Sequence, residues 1–193
     1  LFPQGPFIAT GLESTESPPV NASIGLNQTD FLVNQRDTFH VAVIVNASVG
    51  SPDTEIYAGQ FTLNYNTTVF NATSIQNGSF LGSSAITAVQ RINHSIGKID
   101  FAATRVGVEN GSTGSGILAV LSFAVRDNAP SGATPLLFTD VIFVANTSGA
   151  TIATEIINAT VTVNAPPIAS FTYTPSKPMV AQEITFDAGV SYD

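Results

Sequence analysis

The side chains whose type and spacing most clearly indicate a chemical role are asparagine amides in the pattern Asn-x-Ser/Thr. Ten of the fourteen asparagines stand in this pattern with no proline between, whereas chance placement would give about three. The amide nitrogen of such an asparagine is the acceptor of N-linked glycans, so the excess predicts glycosylation and export. The alternative explanation of the excess is that Asn, Ser and Thr are all frequent in turns. The predicted acceptors are Asn21, Asn27, Asn46, Asn66, Asn71, Asn77, Asn93, Asn110, Asn146 and Asn158.

Catalytic patterns do not emerge from the remaining polar residues. The histidines are His40 and His94, with no metalloprotease or serine-hydrolase motif around them and no closely spaced carboxylate pair. The chain has no cysteine, which excludes thiol catalysis and zinc ribbons but not the cell exterior. Asp30, Asp53 and Asp127 lie in predicted loops whose oxygens could hold structural calcium. We therefore expect no catalytic residue, no enzyme and no obligatory cofactor.

Charge and hydropathy narrow the choice of partner. The net charge is −8 with only six Lys and Arg, so no basic patch is available for nucleic acid. The longest apolar run, Ile117 to Val125, is far below the roughly 20 residues of a transmembrane helix. A chain that begins at Leu1 rather than Met looks processed, which favours an extracellular or cell-surface location.

The stretch Ala58 to Ile75 indicates how the rest of the chain is built. Phe61, Leu63 and Tyr65 alternate with polar residues, the period of a half-buried strand. A second extended piece follows from Val69 with Phe70 and Ala72 inward and Ser74 as the next candidate for an inward position.

Similar short strands recur along the chain, and no segment has the periodicity of a helix. Val41, Val43 and Val45 alternate in one of them, with His40 outward. Ile117 to Val125 reads as a buried central strand, and Thr154 to Val163 as the last one. About nine strands in total predict an all-β, jelly-roll-type two-sheet sandwich.

The predicted domain plan has four parts. Residues 1–21 form an extended, proline-bearing arm, 22–163 the sandwich, 164–167 a linker, and 168–193 a short tail with strand-like runs at 170–173 and 183–186. The arm is either a disordered terminus or a strand that pairs with a neighbouring subunit. Its apolar side chains, the predicted assembly residues, are Phe2, Phe7, Ile8 and Leu12.

Two segments resemble known families. GQFTLNYNTTVFNATSI, IDFAATR and GILAVLSFAVRDNAPSGATPLLF resemble a cohesin domain, the nine-stranded sandwich of cellulosome scaffoldins and of some archaeal surface proteins. PPIASFTYTPSKPMVAQEITFDAGVSYD resembles the start of a PKD-type repeat, an immunoglobulin-like module of archaeal and other cell-surface glycoproteins. The first resemblance implies binding of dockerins through acidic and polar side chains of the central strands.

This sequence departs from the cohesin pattern at four positions. Gln60 stands where an aspartate is frequent, with Ala58 two residues before it, and Ala103 stands at the acidic position after Phe-Ala. Asn66 replaces the aspartate of the turn. These departures and the many predicted acceptors favour a glycosylated structural subunit, a homopolymeric filament or layer assembled by strand complementation. The alternative is a cohesin-type module that binds a dockerin, another surface protein or carbohydrate, displayed on a PKD-containing stalk.

Overall fold

The computed structural model describes residues 20–49, 54–107, 110–145, 149–164, 166–167 and 169–191, and these residues form strands, turns and no α-helix. The predicted all-β two-sheet sandwich is confirmed. None of the described residues forms a helix with the length and apolarity that a membrane span requires. The strands are β1 (Ala22–Leu26), β2 (Asp30–Asn34), β3 (Thr38–Ala47), β4 (Ile56–Asn64), β5 (Phe70–Asn77), β6 (Ala85–Asn93), β7 (Lys98–Arg105), β8 (Gly114–Val125), β9 (Gly132–Ala145), β10 (Ala150–Thr151), β11 (Thr154–Ile156), β12 (Ala159–Asn164), β13 (Thr172–Thr174) and β14 (Thr185–Asp187).

The sandwich consists of two facing sheets. One has the order β11-β1-β3-β8-β5, and the other β2-β12-β9-β4-β7-β6 with β10 added beside β9. β8 lies between β3 and β5, in agreement with the buried central strand predicted for 117–125. The strand count exceeds the predicted nine because several strands are only two or three residues long.

Alternating apolar side chains from both sheets form the core between them. Phe61, Leu63 and Tyr65 on β4 and the loop after it are buried, as the alternation predicts. Phe123 lies near the centre, with ring centroids 5.4 Å from Phe39 and 5.5 Å from Tyr65. Edge-to-face and offset pairs of this kind strengthen packing beyond their buried area.

Two predicted strands, the one from Val69 to Ile75 and the one from Thr154 to Val163, differ from the strands of the structure. A bulge between Ala72 and Ser74 on β5 turns Ser74 outward, where its hydroxyl donates to Ser122 Oγ at 2.8 Å. The inward orientation considered for Ser74 is therefore wrong, because a bulge inserts a residue and reverses the alternation after it.

The predicted last strand, 154–163, is two strands in different sheets. β11 pairs with β1 and β12 with β2 and β9, and the chain crosses between the sheets at Ile157 and Asn158. The backbone N–H of Ile157 donates to the Ile24 carbonyl at 2.8 Å, and its side chain lies over Gly25. Ile157 is thus 38% exposed rather than part of the core.

Candidate functional site

The outward side chains of β6, β7, β4 and β9 form one continuous surface, which we call the four-strand face. Cross-strand pairing arranges them in four rows. The rows are Ile86, Thr104, Ala58 and Val144; Val89, Ala102, Gln60 and Ile142; Arg91, Asp100, Thr62 and Thr139; and Asn93, Lys98, Asn64 and Leu137.

The first two rows form the apolar half of this face. Ile86 is 56% exposed, Val89 40% and Ile142 42%. Beside Ile142 and Val144, alanines and Gly59 leave a shallow hollow of about 180 Å³. The Phe143 ring packs against Gly59 from the core side, so that a Cβ there would come within 2.8 Å of the ring. The short side chains therefore serve both the core packing and the shape of the hollow.

The third row contains the polar centre of the face. Arg91 Nε donates to Asp100 Oδ2 at 3.0 Å, and Thr62 Oγ1 donates to Asp100 Oδ1 at 2.9 Å. These bonds, the Arg91 bond first, hold the pKa of Asp100 below its ordinary value although partial burial opposes the shift. Thr62, which the alternation places toward water, is 7% exposed. The carboxylate is thus ionised and already paired before any partner arrives.

Amide side chains connect β4 to β9 in the remaining rows. Asn64 Nδ2 donates to the Leu137 carbonyl at 3.2 Å and to Thr139 Oγ1 at 3.0 Å. Gln60 Nε2 reaches the Asp140 carbonyl at 3.5 Å, beside a bulge where Asp140 has a φ of 51°. Apart from the Arg91–Asp100 pair, only Lys98 adds a formal charge to the sixteen positions of the face. Most contacts this surface offers are therefore apolar or neutral.

A family model for the cohesin domain matches residues 34–163, which is more than half of the chain. The chain belongs to the cohesin family. No curated protein sequence matches it. The sandwich of this cohesin also includes β1 and part of β2, which precede the matched residues.

Solved cohesin structures share this fold at low sequence identity. The cohesin of OlpC from Clostridium thermocellum, described in a complex with the dockerin Doc435, is 13% identical with a TM-score of 0.63, over 78% of this chain and 98% of that one. The seventh ScaB type I cohesin from Pseudobacteroides cellulosolvens is 18% identical with a TM-score of 0.60, over 77% and 95%. A non-cellulosomal cohesin from the archaeon Archaeoglobus fulgidus is 16% identical with a TM-score of 0.56, over 75% and 92%.

The four family departures occupy different places in this cohesin. Ala58 and Gln60 lie on the four-strand face, and Asn66 lies in the turn just beyond its fourth row. Ala103 is 6% exposed and faces the core, so its neighbour Ala102 is the residue on the face. The alternation of Ile99, Phe101 and Ala103 is the signal that excludes Ala103 from the surface.

The predicted glycan acceptors are all at least partly accessible where the structure describes them. Asn21, Asn71 and Asn93 are half-buried, and Asn146 lies outside the described residues. The exposed acceptors are Asn27, Asn46, Asn66, Asn77, Asn110 and Asn158.

The other predicted site residues do not converge. The arm residues Phe2, Phe7, Ile8 and Leu12 lie outside the described part of the chain, as does Asp53. Asp30 and Asp127 are exposed, and among the described residues no three His, Asp or Glu side chains come together as metal ligands. Arg36 Nε lies 3.8 Å from Asp127 Oδ1.

A serine–histidine contact escaped the sequence analysis because its members come from three strands. His40 Nδ1 lies 2.8 Å from Ser122 Oγ, which also accepts from Ser74. The other ring nitrogen of His40 has no hydrogen-bond partner within the described residues, so no carboxylate orients the ring as a general base. The cluster therefore lacks the third member that an activated nucleophile requires.

Proposed function

We propose that this cohesin is a non-catalytic module that binds a dockerin-type protein on the four-strand face. Family membership supports a binding role, and the related structure of OlpC is described as a cohesin–dockerin complex. The expectation of no enzymatic activity fits the same proposal, since the polar groups of the face are held by one another rather than directed at a cavity.

The observation that carries the proposal is the apolar half of the face. Three branched aliphatic side chains on this half, Ile86, Val89 and Ile142, stand 40–56% exposed, and Ile142 borders an alanine-lined hollow. A contiguous exposed apolar patch with polar groups along one side is typical of a protein-binding surface. The partner is expected to insert aliphatic side chains into the hollow and to place polar groups over Asp100 and Asn64.

Calorimetric titration of dockerin modules encoded in the same genome tests this proposal. Ile142→Asp is expected to weaken binding by about a hundredfold, because the carboxylate would be buried without a partner. Leu32→Asp is the matched control, since Leu32 is an aliphatic residue 77% exposed on β2, two strands beyond β9 in the same sheet. Equal dissociation constants for the two variants, both folded by circular dichroism, contradict this use of the face.

The proposal includes display outside the cell, with residues 168–193 as the start of a PKD-type module. In support, β13 and β14 pair antiparallel, and Phe186 lies with its ring centroid 5.8 Å from Phe171 and 6.2 Å from Tyr173. Protease treatment of intact cells that produce the protein tests the location. Release of fragments of this chain is expected, and complete protection contradicts surface display.

A homopolymer formed by strand complementation is the second candidate. In its favour, β2 is the outer strand of its sheet and, among the described residues, pairs only with β12, so that its other backbone edge has no strand from this part of the chain beside it. Electron microscopy of the native material is expected to show polymers that disappear when residues 1–20 are deleted. Monomers alone in light scattering of the intact protein contradict it.

A further inference from the structure

The predicted glycan acceptors are distributed unevenly over the two sides of the sandwich. Five of them lie on, or directly beside, the strands of the five-stranded sheet, and two of these, Asn46 and Asn71, project from its outward side. The five are Asn21, Asn27, Asn46, Asn71 and Asn77. The outward acceptors of this side are therefore Asn46 on β3 and Asn71 on the edge strand β5, whereas Asn77 Nδ2 donates to Thr87 Oγ1 on β6 at 2.6 Å.

The four-strand face has its predicted acceptors along its margin, where Asn158 also lies beside β9. β4, β7 and β9 together contain one asparagine, Asn64, and the residues that follow it are Tyr65 and Asn66, so it is not an acceptor. Among the sixteen positions the acceptor is Asn93, at the corner where β6 ends. Asn66 lies in the turn beyond the same end, opposite the apolar half.

The amide groups of several acceptors are oriented by the backbone. Their Oδ1 atoms accept a backbone N–H, and because that group can only donate, the oxygen is the atom held in place. The nitrogen, which forms the bond to sugar, is left on the other side of the amide. The four pairs are Asn27 with Ala42 at 2.9 Å, Asn66 with Thr68 at 2.9 Å, Asn93 with Ser95 at 3.1 Å, and Asn158 with Phe138 at 2.9 Å.

The five-stranded sheet also has a reason to be covered. Its outward side presents half-buried apolar residues, among them Ala42, Ile44 and Val120. Asn46 stands on the same strand as Ile44 and is exposed, and Asn71 stands on the edge strand β5. Asn46 Nδ2 donates to Ser23 Oγ at 3.4 Å, and a glycosylated amide retains one N–H for such a bond. Sugars at these two positions would enclose the apolar strip from both sides.

We propose that N-linked glycans coat the outward side of the five-stranded sheet, with Asn46 and Asn71 as its main acceptors, and leave the four-strand face open. The open face rests on the proposed function for its partner, whereas the coat does not. Glycosylation would then determine which side of this cohesin a protein can approach.

Intact glycopeptide mass spectrometry of the protein from the cells that produce it tests the coat. Chymotrypsin suits the digestion because only six Lys and Arg are present for trypsin. Sugar is expected on Asn46 and Asn71 in most copies, with Asn64 unmodified as the internal control. Bare Asn46 and Asn71 overturn the coat, whether or not other acceptors carry sugar.

An added acceptor tests the open face. Gln60→Asn completes an acceptor triplet with Phe61 and Thr62 in the second row. In the native cells this variant is expected to gain a glycan and to lose at least tenfold in affinity for the dockerin modules named above. The same variant from a host without N-glycosylation is expected to bind at least tenfold more tightly than the glycosylated form, and the N46Q/N71Q double variant from the native cells is expected to bind within about threefold of the parent protein.

The two experiments together distinguish the glycan coat from the docking role of the four-strand face. Sugar on Asn46 and Asn71 with undiminished binding of glycosylated Gln60→Asn keeps the coat but contradicts the docking role of the four-strand face. Bare Asn46 and Asn71 with I142D-sensitive binding keep the docking role and overturn the coat.

Discussion

Asp100 is the residue on which the polar half of the four-strand face depends. It accepts from Arg91 on β6 and from Thr62 on β4, so one carboxylate joins three strands. Its lowered pKa means that the folded protein holds the ionised form more firmly than the unfolded chain does. Such a group stabilises the fold above its unfolded pKa, and that contribution is lost as the pH falls through the folded value.

Asp100→Asn is accordingly expected to lower the free energy of unfolding by about 1 kcal/mol at neutral pH, a value limited by the 70% exposure of the Arg91 side chain. The difference from the parent protein should shrink as the pH falls below the ordinary carboxyl value of 3.8. Urea unfolding at neutral and acidic pH measures it. Asp127→Asn is the control, since Asp127 and Arg36 are 81% and 75% exposed and 3.8 Å apart. A pH-independent difference for Asp100→Asn contradicts the linkage.

Arg105 connects two loops at the apolar end of the face. Its Nη1 donates to the Leu81 carbonyl at 3.1 Å and to Ser112 Oγ at 2.8 Å. Arg105→Met removes both donors and leaves their acceptors partly buried, so we expect about 2 kcal/mol less stability in urea unfolding. Arg36→Met, at an exposed arginine, should change stability by less than about 0.5 kcal/mol. Equal effects would mean that the two bonds contribute nothing.

Single residues could be assigned to a side of a strand from sequence, but not to their partners. Period-two alternation predicts correctly that Phe61, Leu63 and Phe101 face the core. It does not reveal that Asp100 lies opposite Thr62 and Arg91, because that depends on which strands become neighbours and in what register. Ala103 likewise faces the core, as its alternation with Ile99 and Phe101 predicts, although the family pattern has an acidic residue there.

Within the elements, the hairpin between β6 and β7 depends on Gly97. Its φ is 64°, and a Cβ would collide with the Tyr65 carbonyl oxygen. Gly114 has a similar φ of 75° but nothing near its absent Cβ. Gly114→Ala is therefore expected to destabilise by about 1 kcal/mol, from backbone strain alone, and Gly97→Ala by about 2 kcal/mol more. Thermal and urea unfolding of the pair measure the difference, and similar values would remove the role assigned to the close contact.

The sequence predicts that a strand exists more readily than it predicts where the strand is interrupted. Continuous alternation made 154–163 look like one strand, yet the chain leaves one sheet after Ile156 and enters the other at Ala159. The interruption comes from tertiary contacts, the Ile157 N–H with Ile24 and the Asn158 amide with Phe138. Such contacts cannot be inferred from the local residue types.

For the whole molecule, the tail and the sandwich are expected to be energetically separate. Residues 169–191 contribute nothing to the buried core, and within the described chain their hydrogen bonds are all internal, such as Ser170 with Ser191 and Met179 with Gln182. Ending the chain at Asn164 should thus leave the melting temperature of the sandwich within about 2 °C, measured by calorimetry. A drop of 5 °C or more would reveal docking of the tail.

Composition and periodicity predict the fold of this chain better than they predict its binding face. Short alternating runs without helical period suffice for the two-sheet sandwich, because burial of one face per strand leaves few other architectures. The four-strand face is different, since its apolar half combines β6, β7, β4 and β9, which are adjacent only after folding. Its Ile86, Val89 and Ile142 read from sequence as ordinary strand residues.

The parallel pairing at the beginning and end of the sandwich has a mechanical consequence. β1 runs parallel to β11 over three residue pairs, and β2 runs parallel to β12 over five. Tension applied to the two ends of the sandwich pulls the members of each pair in opposite directions along their length, so the bonds of a ladder are loaded in shear and must rupture together. An antiparallel hairpin pulled from its open end would unzip one bond at a time. The two parallel ladders are therefore expected to resist such tension better than an antiparallel hairpin of the same length.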